Sequence, residues 1–128
     1  MGMPAAKQGD RVTALDLHLI QPPGSTPPVT VPHAFSGLLT QQLSSNVRIL
    51  GLAAATVGSV AINTPPHIPQ GGSFVNPPTN RGTVRAGSSS VRINGKAAAR
   101  AGDRAETCAE PSNPAAKVVA AGTVRIGG

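Results

Sequence analysis

A stretch of thirteen residues occurs twice in this chain in similar form, and each end of the chain carries a similar version of one half of this repeated phrase. Residues 47–59 read VRILGLAAATVGS, and residues 91–103 read VRINGKAAARAGD. The first half returns as VRIGG from Val124, and the second half returns as PAAKQGD from Pro4. Any fold for this chain must therefore place three related units in related surroundings.

Each full copy of the phrase predicts a β-hairpin. Val and Ile alternate with Arg, and this period of two is typical of a strand with one buried face. In the second copy Asn94-Gly95 follows at once, a pair that favours a tight turn because both turn positions need positive φ. We expect Leu50-Gly51 to form the same turn in the first copy.

The two incomplete copies predict that the chain ends meet. A unit that lacks its first strand at Pro4 can take the strand that begins at Val124, so that three hairpins surround one axis. The chain then reads as a circular threefold pattern opened inside one hairpin. A competing alignment matches GTVR at 82–85 with GTVR at 122–125, which leaves the assignment of the last strand open.

Composition indicates one narrow, all-β domain spanning residues 1–128. The chain has only two aromatic residues, Phe35 and Phe74, so small side chains must fill most of the interior. Its 15 Gly and 13 Pro disfavour long helices, because Gly adds an entropic cost and Pro removes a donor. We expect short strands and turns.

The net charge of +6 raises nucleic acid as a partner. The basic residues are scattered, however, and no aromatic residues lie among them to stack bases. We therefore expect no nucleic-acid binding.

No apolar run approaches the length of a bilayer span, and the N-terminus has no signal-peptide hydrophobic region, so we expect synthesis in the cytoplasm. The single cysteine implies no internal disulfide.

PAAKQGD and AAARAGD resemble the Pro-Ala-Ala-Arg motif of the PAAR-repeat proteins. These are small conical tips on the spikes of contractile injection machines, such as type VI secretion systems and phage-tail-like particles. The chain departs from the motif at three points: Lys7 replaces Arg, Thr56 stands in the middle copy, and the third copy lacks Pro. The resemblance covers essentially the whole chain.

The resemblance implies a small all-β cone of short hairpins with pseudo-threefold repeats and a zinc-pinned apex. The protein would be a structural tip, not an enzyme, that caps and sharpens a trimeric spike and helps to pierce the target membrane. One chain would sit on each spike trimer, with an effector or cargo protein as a further partner. After synthesis it would join the particle tip and be delivered outside the cell or into the target cell.

The resemblance also suggests how the chain is placed on the spike. The three hairpins would form the base, with Ala55 and Ala99 as candidates for the docking face, and loops at 21–36, 63–80 and 104–116 would climb towards the apex. With nothing after Gly128 and three residues before Pro4, we expect any toxin to be a separate protein.

The family carries one structural Zn²⁺ held by three His and one Cys, and this chain has three His and one Cys. The resemblance thus implies His18, His33, His67 and Cys108 as ligands. His33 and His67 both lie beside prolines, on segments that lose little entropy when fixed. Cys108 lies between two glutamates, which favours metal binding over nucleophilic catalysis.

Other functions are less favoured by the sequence. A catalytic zinc would need one of the four ligands to be a bystander, with Asp16 or Glu106 as general base. Gly95-Lys96-Ala97 lacks the hydroxyl residue and the upstream Gly of a phosphate-binding loop. The remaining alternative is a small zinc-stabilised basic module that binds nucleic acid or anionic surfaces.

Overall fold

The computed structural model describes residues 2–128, and this part of the chain is all-β, with no helix. No segment in it is therefore a helix of the length and hydrophobicity needed to cross a membrane. The strands within it, in chain order, are β1 (Met3–Pro4), β2 (Arg11–Gln21), β3 (Val29–Gln41), β4 (Arg48–Ile49), β5 (Leu52–Ala53), β6 (Val60–Asn63), β7 (Ser73–Phe74), β8 (Arg81–Val84), β9 (Arg92–Ile93), β10 (Lys96–Ala97), β11 (Arg104–Thr107), β12 (Asn113–Val119) and β13 (Arg125–Ile126).

Six of these strands form a ring. The order β12-β11-β8-β6-β3-β2 is closed by antiparallel pairing of β12 with β2, and β7 adds to the far end of β2. Within the closed part of the ring no strand edge is left to template pairing with other chains. The ring is a three-part structure, because β2, β6 and β11 each follow one copy of the repeated phrase.

Three two-stranded hairpins lie below the ring, and the predicted turns are present in two of them. β4 pairs with β5, and β9 pairs with β10. Leu50 and Gly51 have φ of 51° and 82°, and Asn94 and Gly95 have φ of 53° and 81°. Both turns therefore use positive φ at both central positions, as the Asn-Gly signal predicts.

The third hairpin joins the two ends of the chain. β1 pairs antiparallel with β13, placing Met3 opposite Ile126 and Pro4 opposite Arg125. The predicted closure of the circular pattern is confirmed. The competing alignment of 82–85 with 122–125 is wrong, because Val84 lies in a ring strand whereas Val124 directly precedes β13.

The three units meet at a triangle of alanines. The amide of Ala6 donates to the carbonyl of Ala99 at 2.9 Å, that of Ala99 donates to Ala55 at 3.0 Å, and that of Ala55 donates to Ala6 at 3.0 Å. All three residues are fully buried. Three backbones can approach one axis this closely only where the side chains are small, which explains the alanine run in each copy.

A turn after each alanine run directs the chain into the ring. Gly9, Gly58 and Gly102 all have positive φ, between 86° and 95°, which only glycine adopts without cost. The side chain of the residue after each glycine accepts a hydrogen bond from the backbone amide three positions earlier. These side-chain acceptors are Asp10, Ser59 and Asp103.

Two apolar clusters fill the interior. The larger one lies inside the ring and includes Phe35, Leu39 and the three axial alanines. The smaller one lies among the hairpins and is built from three alanines and three isoleucines at equivalent positions: Ala5, Ala54, Ala98, Ile49, Ile93 and Ile126. Alanines thus make up six of the eleven buried residues of the larger cluster and half of the smaller one, which agrees with the small side chains that the composition predicts.

Two expectations need correction. Much of the segments 21–36 and 104–116 is strand rather than loop, because β2 and β3 pair over ten residues and β11 and β12 form a second hairpin. Ala55 and Ala99 do not face a docking surface, because their side chains are wholly buried in the ring cluster.

Candidate metal centre

The candidate centre lies inside the ring, beyond the large apolar cluster. Asp16 and His18 are two residues apart on β2, so both side chains point to the same side, and both are fully buried. His33 lies on β3 directly opposite Asp16. His67 comes from the segment between β6 and β7, and Cys108 directly follows β11.

Four side chains form the tightest group. One ligand atom from each of Asp16, His18, His67 and Cys108 lies within 4.8 Å of the others, which makes this cluster able to hold a metal ion. Three of the four residues implied by the resemblance belong to it. His33 lies beside the cluster, with its ring centroid 5.5 Å from those of both His18 and His67.

Glu110 fixes the orientation of His18. The His18 Nδ1 lies 3.2 Å from Glu110 Oε1, which leaves Nε2 facing the cluster. Burial opposes ionisation of Glu110, but hydrogen bonds from Asn76, the Leu19 amide and His18 lower the pKa of this carboxyl. A carboxylate on the outer nitrogen fixes the tautomer and the ring orientation, as it does for many metal-bound histidines.

His33 presents an unpaired nitrogen. Its Nδ1 donates to the Val31 carbonyl at 2.9 Å, so the proton is on Nδ1 and Nε2 keeps its lone pair. Among the described residues, His33 Nε2 is the one buried side-chain nitrogen or oxygen without a hydrogen-bond partner. Because an unsatisfied buried polar atom is costly, this nitrogen fits the role of a ligand.

His67 is held between Asn63 and Asp16. Asn63 accepts a hydrogen bond from the Ser36 amide, so its NH₂ group faces His67 Nδ1 at 3.2 Å. The His67 Nε2 then carries the proton and donates it to Asp16 Oδ2 at 3.2 Å. Burial lowers the pKa of His67 more than Asp16 raises it, so the ring is neutral near pH 7.

Cys108 faces both Asp16 and His18. Its Sγ lies 3.6 Å from Asp16 Oδ2 and 3.7 Å from His18 Nε2. Burial, with a smaller contribution from Asp16, raises the pKa of the Cys108 thiol. Without a cation the thiol is therefore protonated, and a metal that binds here must displace that proton.

Asp16 is the member of the cluster that the sequence analysis did not propose as a ligand. Its carboxylate accepts hydrogen bonds from the Thr107 hydroxyl, His67 and Cys108. A buried carboxylate needs such partners because desolvation of a charge is expensive. The signal in the sequence is the spacing Asp16-x-His18, which puts both residues on one face of a strand.

The donor set fits zinc. Nitrogen and sulfur ligands at the usual zinc bond lengths are separated by about 3.5 Å along a tetrahedral edge, close to the 3.7 Å between His18 Nε2 and Cys108 Sγ. Aromatic residues adjoin the site: the Phe74 ring lies 5.7 Å from His18 and 5.6 Å from His33, and Phe35 lies 6.0 Å from His67. Aromatic rings thus pack beside each of the three histidines.

The closed ring, the three hairpins and the His/Cys cluster define a small all-β protein with a candidate metal centre. Residues 75–128 match the family model of the PAAR motif, which confirms the resemblance to PAAR-repeat proteins that the repeats predict. The motif implies a place at the spike tip of a contractile injection system. No curated protein and no solved structure matches the chain.

Proposed function

We propose that residues 1–128 form a single spike-tip domain that caps the trimeric spike of a contractile injection machine and helps it to pierce the target membrane. One chain serves each trimer. The role is structural, without catalysis: the cone narrows the end of the spike and resists buckling when the sheath contracts.

The observation that carries this proposal is the alanine triangle with its three hairpins. A single chain can meet a threefold-symmetric partner evenly only if it offers three similar surfaces. Here three two-stranded hairpins of the same length surround one axis, two with the same turn and one formed by the chain ends. The axis is marked by cyclic hydrogen bonds among Ala6, Ala55 and Ala99.

We further propose that His18, His33, His67 and Cys108 bind one structural Zn²⁺ per chain. The free lone pair of His33 Nε2, the orientation of His18 by Glu110 and the position of Cys108 support this set. Zinc would supply a tetrahedral cross-link among four segments of the chain. In small domains such a link contributes folding free energy directly.

Asp16 completes the charge balance of this centre. A divalent cation with one thiolate leaves one positive charge in a buried site, and the Asp16 carboxylate neutralises it. The Thr107 hydroxyl keeps Asp16 in place. His67 Nε2 must give up the hydrogen bond to Asp16 in order to bind the metal. The ring proton then lies on Nδ1, and the Asp16 carboxylate stays ionised.

Two measurements test the proposal. Purified protein should contain one zinc atom per chain by elemental analysis. The protein mixed with the trimeric spike protein of the same machine should form a complex of one chain per trimer, as measured by mass photometry. Absence of zinc would reject the metal centre, and absence of the complex would reject the spike-tip role.

A further inference from the structure

Each of the three hairpins carries an exposed arginine at the same position. Arg48, Arg92 and Arg125 directly precede the three buried isoleucines. Each guanidinium donates from Nη1 to a backbone carbonyl of its own hairpin, at 3.3, 3.3 and 3.0 Å respectively. We call these three residues the hairpin arginines.

The carboxylates of the chain are engaged elsewhere. Each of the five acidic residues pairs with another basic side chain: Asp10 with Lys7, Asp16 with His67, Asp103 with Arg100, Glu106 with Arg85, and Glu110 with His18. The hairpin segments themselves contain no acidic residue. Among the described side chains, the partners of the hairpin arginines are therefore carbonyl groups, not carboxylates.

A guanidinium has five N–H donors in a planar fork that matches a carboxylate. The hydrogen bond to a hairpin carbonyl uses one donor and limits the side-chain freedom that binding would otherwise remove. The guanidinium groups of the three hairpin arginines are repeated about the same axis as the alanine triangle. A complementary partner would repeat its anionic groups about a threefold axis as well.

We propose that the hairpin arginines bind three carboxylates, one from each chain at the end of the trimeric spike. This inference rests on the spike-tip function proposed above and adds the chemistry of the contact. An Asp or Glu at one position of the spike chain appears three times in the trimer, so it supplies the required ring. Nucleic acid has no threefold repeat, so it matches this arrangement less well.

The test compares two triple variants that remove the same charge. In the first, the hairpin arginines are replaced by Gln (R48Q, R92Q, R125Q). In the control, three exposed arginines of the ring strands are replaced (R11Q, R81Q, R104Q). Circular dichroism first checks that both variants keep the fold, and affinity for the spike trimer is then measured at several salt concentrations.

We expect the hairpin variant to bind the spike at least about tenfold more weakly and with a smaller salt dependence, because charge pairs across an interface give both effects. The control should stay close to wild type. Replacing the hairpin arginines by Glu should abolish binding, and Lys in place of the spike carboxylates should restore it.

The outcomes separate the two proposals. If wild-type protein does not bind the spike, the spike-tip function fails. If wild type binds and the two triple variants bind equally well, only the carboxylate contact fails. If a duplex DNA probe binds wild type and is lost in the hairpin variant while spike binding is unchanged, the arginines belong to a nucleic-acid surface and the inference is overturned.

Discussion

The amide of Ala5 donates a hydrogen bond to the carbonyl of Val124 at 2.9 Å, so residues almost at opposite ends of the chain are direct neighbours. The same bond, at 3.0 Å, occurs in each of the other hairpins, between Ala54 and Val47 and between Ala98 and Val91. The hairpin formed by the chain ends therefore repeats the geometry of the two continuous ones.

This equivalence predicts equal costs for three substitutions. Ile49, Ile93 and Ile126 are 7%, 8% and 7% exposed and pack in one cluster. Replacement of any one by Ala should lower the free energy of unfolding by about 2–5 kcal/mol, with similar values for all three, as measured by chemical denaturation. Val124→Ala, at a position 38% exposed, should cost much less. A negligible effect of Ile126→Ala alone would contradict pairing of the chain ends.

A charge at the alanine triangle should destabilise the protein rather than only weaken docking. Ala55→Glu or Ala99→Glu would place a carboxylate in the apolar ring cluster, where removal of a charge from water is costly. We expect a large fall in melting temperature by circular dichroism. Ala121→Glu, at an exposed position, is the control and should melt close to wild type. A stable Ala99→Glu variant would show that the triangle is more open than described.

Loss of a metal ligand should lower both zinc content and stability. Replacement of His18, His33, His67 or Cys108 by Ala should cost several kcal/mol, on the order of a quarter or more of the 10–16 kcal/mol typical of structural zinc. Elemental analysis and melting curves with and without chelator measure the two effects. Gln70→Ala, an exposed substitution near His67, is the control. If His33→Ala retained full zinc content, the metal set would need Asp16 in its place.

Glu110→Gln should weaken zinc binding by about ten- to a hundredfold, the usual effect of losing an outer carboxylate on a ligating histidine. The reason is that Glu110 holds His18 Nδ1 and the Leu19 amide at once. Glu106→Gln removes an equal charge from the more exposed pair with Arg85 and should leave zinc affinity unchanged. Competition with a chromophoric chelator measures both, and equal affinities for the two variants would assign Glu110 no role in the centre.

Zinc affinity should rise with pH. Because burial raises the pKa of Cys108, the thiol is protonated near neutral pH, and zinc must displace that proton. Apparent affinity should therefore increase about tenfold per pH unit below the thiol pKa. The pKa of His67 is lowered, so its ring is already neutral and adds no slope near pH 7. Chelator competition at several pH values tests this, and a Cys108→Ser variant with the same slope would contradict it.

The hairpins and the closure of the chain could be predicted because their signals are local. Period-two alternation and Asn94-Gly95 define strand and turn within a few residues, and repetition extends the assignment to Val124 and Pro4. The sequence does not predict the first half of β3 as a strand, and the reason is physical. Pro32 suggests a loop, but β6 pairs only with the later part of β3, so Pro32 lies where β3 is an edge strand and its missing donor does no harm.

The buried face of β2 could not be predicted from hydrophobicity. Leu15 and Leu17 are 62% and 42% exposed, whereas Asp16 and His18, which alternate with them along the strand, are fully buried. An apolar core would favour the reverse orientation. Here the interior beside β2 is polar. Thr107 and Glu110, about ninety residues away in the chain, supply hydrogen-bond partners that make burial of Asp16 and His18 favourable. Such partners are not visible in the local pattern.

Pairing of β1 with β13 also sets the order in which the protein can fold during synthesis. Domains usually fold as units as the chain emerges, but here the third hairpin lacks one strand until Arg125–Ile126 have been made. Contacts between such distant residues form slowly. The nascent chain must therefore hold β1 unpaired until Ile126 has been made, and the cone reaches its final shape only after β13 has left the ribosome.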